Sequence, residues 1–189
     1  GNFVTGNAMS ILDINGHTLS VDGAFSGPGF LAGSNTSNLT LNGTAGNVKF
    51  ATTKEILKDF KLLNAATASL TSKLDITAGT GPGTEGSVQV PNTGVLTTNG
   101  NLTIKSSVDG TARIATGRTT GGYIVGDVSV ERYLSSDRSW RLLSTPTVGQ
   151  TVRQAWQENG TYPGNSFGTI ITSNLASWAV NGFDFQTPG

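Results

Sequence analysis

Residues able to do acid–base or metal chemistry are few in this chain and widely separated. Asp13 and Asp75 hold the same outward place in two similar words, Leu12-Asp13-Ile14-Asn15-Gly16 and Leu74-Asp75-Ile76-Thr77-Ala78. Stacked in register they would line one face, the arrangement that calcium ligands or the paired acids of a sugar-cleaving site require. Thr40 and Thr103 occupy the equivalent place in two further words, which breaks the row, and no Arg or third acid stands beside the pair. His17 is the only histidine; its Gly16-His17-Thr18 setting reads as a solvated turn rather than a triad member or metal ligand. No Gly-x-Ser-x-Gly elbow, phosphate loop or His-Glu-x-x-His word occurs. With no complete set of catalytic roles to assign, the expectation is a protein that is not an enzyme and uses no cofactor or metal.

Three tryptophans, Trp140, Trp156 and Trp178, are the candidate glycan contacts, since indole faces stack on sugar rings. Trp140 also shares one face of an alternating strand with Leu142 and Ser144, which equally suits core packing. Both readings stand.

The elements that must position these residues are short strands. Words alternating apolar and polar residues recur at Leu12-Asp13-Ile14, Leu39-Thr40-Leu41, Leu74-Asp75-Ile76, Leu102-Thr103-Ile104 and Val128-Ser129-Val130. The steps from 12 to 39, from 74 to 102 and from 102 to 128 nearly agree, while that from 39 to 74 is longer. A near-constant period of this size predicts an all-β fold, a parallel β-helix-like solenoid over residues 1–120. Its greasy spine would be Leu12/Ile14, Leu39/Leu41, Leu74/Ile76, Leu102/Ile104 and Val128/Val130. Leu19-Ser20-Val21-Asp22-Gly23, close behind the first word, reads as a second strand of the same coil.

The long step is explained by an insertion of about eight residues, a length that solenoids absorb. The charge-dense stretch at 53–61, with Ile56, Leu57 and Phe60 at helical spacing, is read as this insertion, a short helix or an ordered loop. Asn15 and Asn42 fall at equivalent turns, as the start of an amide ladder or as residues tolerant of left-handed dihedrals. Phe3, Val4, Met9 and Ile11 are the expected cap for one end of the stack.

Composition agrees with many short strands and narrows the partners. The chain has 26 Gly, no Cys, 13% charged residues and zero formal net charge. Turn formers cluster between the words, at Gly27-Pro28-Gly29 and Gly79-Thr80-Gly81-Pro82-Gly83 among others. No basic stripe offers phosphate neutralisation, so nucleic acid is not an expected partner. No apolar run has the length of a membrane span. All Lys lie at or before Lys105, while all Arg, Trp and Tyr lie at or after Arg113. That shift predicts a second, aromatic β-rich, sandwich-like module at 121–189. Its closing pattern Asn181-Gly182-Phe183-Asp184-Phe185 leaves two Phe with nothing following to cover them, as in an incomplete module.

Val128-Ser129-Val130-Glu131-Arg132-Tyr133-Leu134, then Arg138-Ser139-Trp140-Arg141-Leu142-Leu143-Ser144-Thr145-Pro146 and Trp156-Gln157-Glu158-Asn159-Gly160, resemble a recurrent segment of large secreted surface proteins of Bacteroidota. In that family a Gly/Thr/Asn-rich repeat region precedes a V-x-V-E-R-Y strand and an R-x-W-R-L-L-S-x-P strand. The resemblance implies export by the type IX secretion system to the outer cell surface or beyond, and an adhesin-like role. Its implied partners are the rest of the same large protein, the export machinery, and surface glycans or neighbouring copies. The family's C-terminal sorting domain has no counterpart here, so the expectation is an interior piece acting as a structural or adhesive segment. A carbohydrate-binding or carbohydrate-cleaving β-helix, and a subunit of an ordered surface assembly, are the alternatives.

Overall fold

Alternating burial organises the chain. Every second side chain along Phe60-Lys61-Leu62 and Ala66-Thr67-Ala68-Ser69-Leu70 turns inward, as strand geometry dictates when one face is dry. The computed structural model describes residues 1–91, 93–115 and 123–134. The chain divides into two compact units, Gly1–Ser136 and Asp137–Gly189, and every strand named here belongs to the first. In order they are β1 (Phe3–Val4), β2 (Ile11–Asp13), β3 (Thr18–Val21), β4 (Phe25–Ser26), β5 (Phe30–Ala32), β6 (Asn38–Val48), β7 (Ile56–Leu57), β8 (Asp59–Leu70) and β9 (Leu74–Ile76). Then follow β10 (Ser87–Gln89), β11 (Val95–Thr97), β12 (Leu102–Ile104), β13 (Ser106–Ser107), β14 (Gly110–Thr111), β15 (Arg113–Ile114), β16 (Ile124–Val125) and β17 (Val128–Val130). The fold of the described residues is all-β, without a helix, and its pairings are parallel except for the β13–β14 hairpin.

The parallel pairs fall into rows that the chain revisits in a constant order. One row runs Leu19, Leu39, Phe60, Val88, Ile114 across β3, β6, β8, β10 and β15. A second runs Gly46, Ala68, Leu96, Ile124 across the later halves of β6 and β8, then β11 and β16; β1 and β4 pair through Phe3 and Phe25. A third runs Leu57, Ile76, Ile104, Val130 across β7, β9, β12 and β17, with Leu12, Leu31 and Phe50 linked in the same way nearer the N-terminus. Leu39, Leu41, Leu57, Phe60, Leu74, Ile76, Leu96 and Leu102 are sealed from solvent and belong to one continuous core. At about 1.5–3 kcal/mol per fully buried aliphatic side chain, this core dominates the stability of the unit.

Several sequence expectations change at this point. Leu74, Leu102 and Val128 pair directly, but Leu39 belongs to the row of Leu19 and Phe60, and Leu12 pairs with Leu31. Leu12 is 36% exposed, so only Ile14 of the first word reaches the core. Residues 53–61 form no helix. Phe60 sits in register between Leu39 and Val88, and Lys58 alone joins β7 to β8 at a corner. A corner residue shifts the inward parity by one, so Leu57 and Phe60 both point inward at a spacing that imitates a helix.

The lengthened rounds have their extra residues elsewhere. Cross-round partners lie 20 and 22 residues apart at Asp22, Asn42 and Asn64, but 28 apart at Asp59 and Ser87 and 26 apart at Lys105 and Glu131. Where Lys58 sufficed in one round, the next inserts an excursion between β9 and β10, closed at its base by Gly86 N–H donating to the Thr77 carbonyl at 2.9 Å. The following round places the β13–β14 hairpin at the same corner, closed by Ala112 N–H on the Lys105 carbonyl at 2.9 Å.

Over 123–134 the chain forms two short strands, β16 and β17, separated at Gly126, whose φ of 97° lies in the left-handed region. A Cβ there would press on Thr98 Oγ1, which is buried and donates to the Asp127 carbonyl at 2.7 Å.

Candidate functional site

The outer side of the first row presents a polar ladder at the end of β3 and its neighbours. Asn42 Nδ2 donates to Asp22 Oδ1 at 3.3 Å, and Asn64 Nδ2 donates to Asn42 Oδ1 at 3.1 Å. Thr93 Oγ1 extends it by donating to the Asn64 carbonyl at 3.0 Å. Asn64 has φ 50°, a conformation that asparagine tolerates better than other side-chain-bearing residues. The ladder anticipated from Asn15 and Asn42 is therefore a different one. Asn15, at φ 47°, is a left-handed turn residue in the β2–β3 turn. The available signal was the triplet pattern Ser20-Val21-Asp22, Thr40-Leu41-Asn42 and Leu62-Leu63-Asn64, which recurs at the true round length.

We expect Asn42→Ala to cost about 1 kcal/mol, a melting shift of about 3–5 °C, because it removes one donor and one acceptor from a partly exposed network. Differential scanning calorimetry against Asn35→Ala, an exposed loop change expected to stay within about 0.5 kcal/mol, checks this.

A second polar group lies outside the third row. Lys73 Nζ contacts Asp75 Oδ2 at 2.9 Å, and Lys105 Nζ pairs with Glu131 Oε1. Glu131 Oε2 also accepts the Ser106 N–H at 3.4 Å, and Tyr133 N–H donates to Ser106 Oγ at 2.9 Å. The V-x-V-E-R-Y segment is thus fastened to the hairpin of the preceding round. Asp75 Oδ1 is buried without a hydrogen-bond partner among the described residues.

The hydrogen bond and charge of Asp75 raise the Lys73 pKa above 10.5, aided more weakly by Glu55 and Glu131. A raised lysine pKa stabilises the fold fully below the unfolded value and loses that contribution as pH climbs through the folded value. Lys73 is largely exposed, so solvent screens the pair and the effect is small. Denaturant midpoints of wild type and Lys73→Gln are expected to differ slightly at neutral pH and to converge above 10.5.

Asp13 and Asp75 are not brought together. Asp13 pairs with Ala32 and accepts the Asn15 N–H at 2.8 Å, closing a local turn, whereas Asp75 lies between Ile56 and Thr103. His17 is exposed in the β2–β3 turn. Among the described residues, no three of His, Asp and Glu gather into a group able to hold a metal ion, and no helix is long and apolar enough to cross a membrane. Trp140, Trp156 and Trp178 lie outside the described residues.

A shallow depression between β1, β4 and β5 is lined by Phe3, Phe25, Phe30 and Lys49. Phe3 and Phe25 meet edge to face at 5.3 Å. Lys49 Nζ lies 5.6 Å from the Phe30 ring and donates to the Gly27 carbonyl at 3.1 Å. The proposed cap is not formed as expected. Phe3 packs against the core, but Val4, Met9 and Ile11 are 69%, 87% and 57% exposed.

Comparison with known protein families, with characterised proteins and with solved structures gives no match to this chain.

Proposed function

We propose that this chain is a structural or adhesive segment of a larger secreted cell-surface protein, its first unit a β-solenoid that acts as a stiff spacer. The observation supporting this reading is the in-register parallel pairing of successive rounds over one continuous apolar core. Repetition presents similar polar faces at each round, so weak contacts with glycans or neighbouring surfaces gain strength through multivalency. Placement at the outer surface of a bacterium follows from the family resemblance of the 128–160 segment.

The absence of cysteine makes the architecture directly testable. Thr103→Cys with Ser129→Cys, neighbours in β12 and β17, is expected to form a disulfide under mild oxidation, whereas Asp13→Cys with Thr103→Cys is not. Cross-linking of the second pair alone sinks the solenoid. For adhesion, beads bearing many copies are expected to bind a glycan-coated surface that single chains do not retain; equal retention removes the multivalent role.

Exposed Val4, Met9, Ile11 and Leu12, on or beside edge strands β1 and β2, favour one other reading, a subunit of an ordered assembly. Sedimentation is then expected to show concentration-dependent association that Ile11→Lys abolishes, and a monomer at all concentrations discards it.

A further inference from the structure

Three Asn-Gly pairs lie among the described residues, Asn15-Gly16, Asn42-Gly43 and Asn99-Gly100, and their carboxamides are held very differently. Asn42 is tied on both sides, donating to Asp22 and accepting from Asn64. Asn99 Nδ2 donates to Ser69 Oγ at 3.0 Å and to the Leu70 carbonyl at 2.9 Å. Asn15 is exposed, and its carboxamide has no hydrogen-bond partner among the described residues; only its backbone N–H is engaged, by Asp13.

We propose that Asn15 is a site of spontaneous deamidation, and that the Asp22–Asn42–Asn64 ladder and the Asn99 contacts protect the other two pairs from the same reaction. The Gly16 nitrogen gives up its proton to solvent base and attacks Asn15 Cγ. A new C–N bond closes a succinimide ring, and the side-chain nitrogen departs with a proton as ammonia. Water then opens the ring at either carbonyl, leaving aspartate or isoaspartate. Glycine permits the approach because no Cβ shields its nitrogen. For Asn42 and Asn99 the carboxamide must first leave two partners before its carbon can swing toward the next nitrogen, and two such bonds slow the step by about tenfold or more.

One contact opposes the step at Asn15: Gly16 N–H donates to Ser37 Oγ at 2.9 Å. A single bond to a hydroxyl at an edge turn is a weaker brake than a carboxamide anchored twice. The product places a carboxylate two residues beyond Asp13, where β2 pairs with β5 alone among the described residues. Isoaspartate there lengthens the backbone in a turn, whereas at Asn42 it would lengthen β6 where that residue pairs with Leu63 of β8.

The test is to age the folded chain in heavy-oxygen water at mildly alkaline pH and to follow label incorporation peptide by peptide. Asn15 is expected to convert about tenfold faster than Asn42 or Asn99. In strong urea the three rates are expected to converge, and Asp22→Ala is expected to speed Asn42 severalfold without changing Asn99. Conversion of Asn42 or Asn99 at the pace of Asn15 in the folded chain overturns the proposal. So does a ranking that persists unchanged in urea, because local sequence would then set the rates.

Discussion

Leu102→Asp is expected to abolish cooperative folding of the first unit, whereas Leu102→Ala is expected to leave it folded and weaker by about 2–5 kcal/mol. Leu102 is wholly shielded from solvent, paired with Leu74 on one side and Val128 on the other, within the continuous core. Truncation to Ala removes apolar contact and leaves a void. A carboxylate at the same place has no counter-ion in the row, and moving a charge out of water costs several kcal/mol even after relaxation. Total stabilities of about 5–15 kcal/mol leave little margin for that. Thr103, one residue on, faces outward between Asp75 and Ser129, so Thr103→Asn is the matched control and is expected to unfold like wild type. Urea unfolding followed by circular dichroism separates the three. A wild-type midpoint for the Asp variant would mean that Leu102 does not lie in a dry interior, and the buried row would have to be abandoned.

Alternation was the most legible feature of the sequence, because a half-buried strand must write its burial into every second residue. It located Leu74, Leu102 and Val128 in one row, where successive rounds are of similar length. It could not say which side of the round a strand occupies. Leu-x-Leu serves equally in any row, so the step from Leu12 to Leu39, one full round plus one further side, imitated a single period. The extra residues were misplaced for a related reason. Lys58 turns a corner in one residue and shifts the inward parity, while the Ala78-Gly79-Thr80-Gly81-Pro82-Gly83 stretch looked like an ordinary turn cluster and is the larger excursion.

Polar partners were harder still, since they depend on register. Asp22, Asn42 and Asn64 meet only once the shorter round of the N-terminal half is known. The partner of Glu131 was equally hidden. The V-x-V-E-R-Y segment stood out through its resemblance, but nothing in it names Lys105 as the residue it grips. Its glutamate fastens one round to the next, which gives the segment a structural role independent of any ligand.

Gly33→Ala should be among the most damaging single-methyl additions in the chain, costing about 1–3 kcal/mol or more, although the position demands no unusual backbone angle. Its neighbourhood, Gly33-Ser34-Asn35, reads as a flexible turn, where Gly to Ala ordinarily stabilises by about 0.4–1 kcal/mol through the unfolded chain. Here the next round lies too close. Gly33 N–H donates to the Lys54 carbonyl at 2.9 Å, and a Cβ would overlap the Ile56 carbonyl oxygen and press on Leu57 Cδ2 at 3.1 Å. Backbone cannot swing aside as a side-chain tip can, so β5 and β7 must separate, which opens the core at Leu31 and Leu57. Gly100 supplies the contrast, with φ 75° and open space where its Cβ would stand. There the obstacle is conformational, and Asn, which tolerates the left-handed region, is expected to be better accepted than Ala. At Gly33 the order reverses, because Asn is larger and the obstacle is volume. Thermal melts of the four variants test the crossover: a Gly33→Ala protein as stable as wild type would show that the rounds are not packed backbone to backbone at this corner.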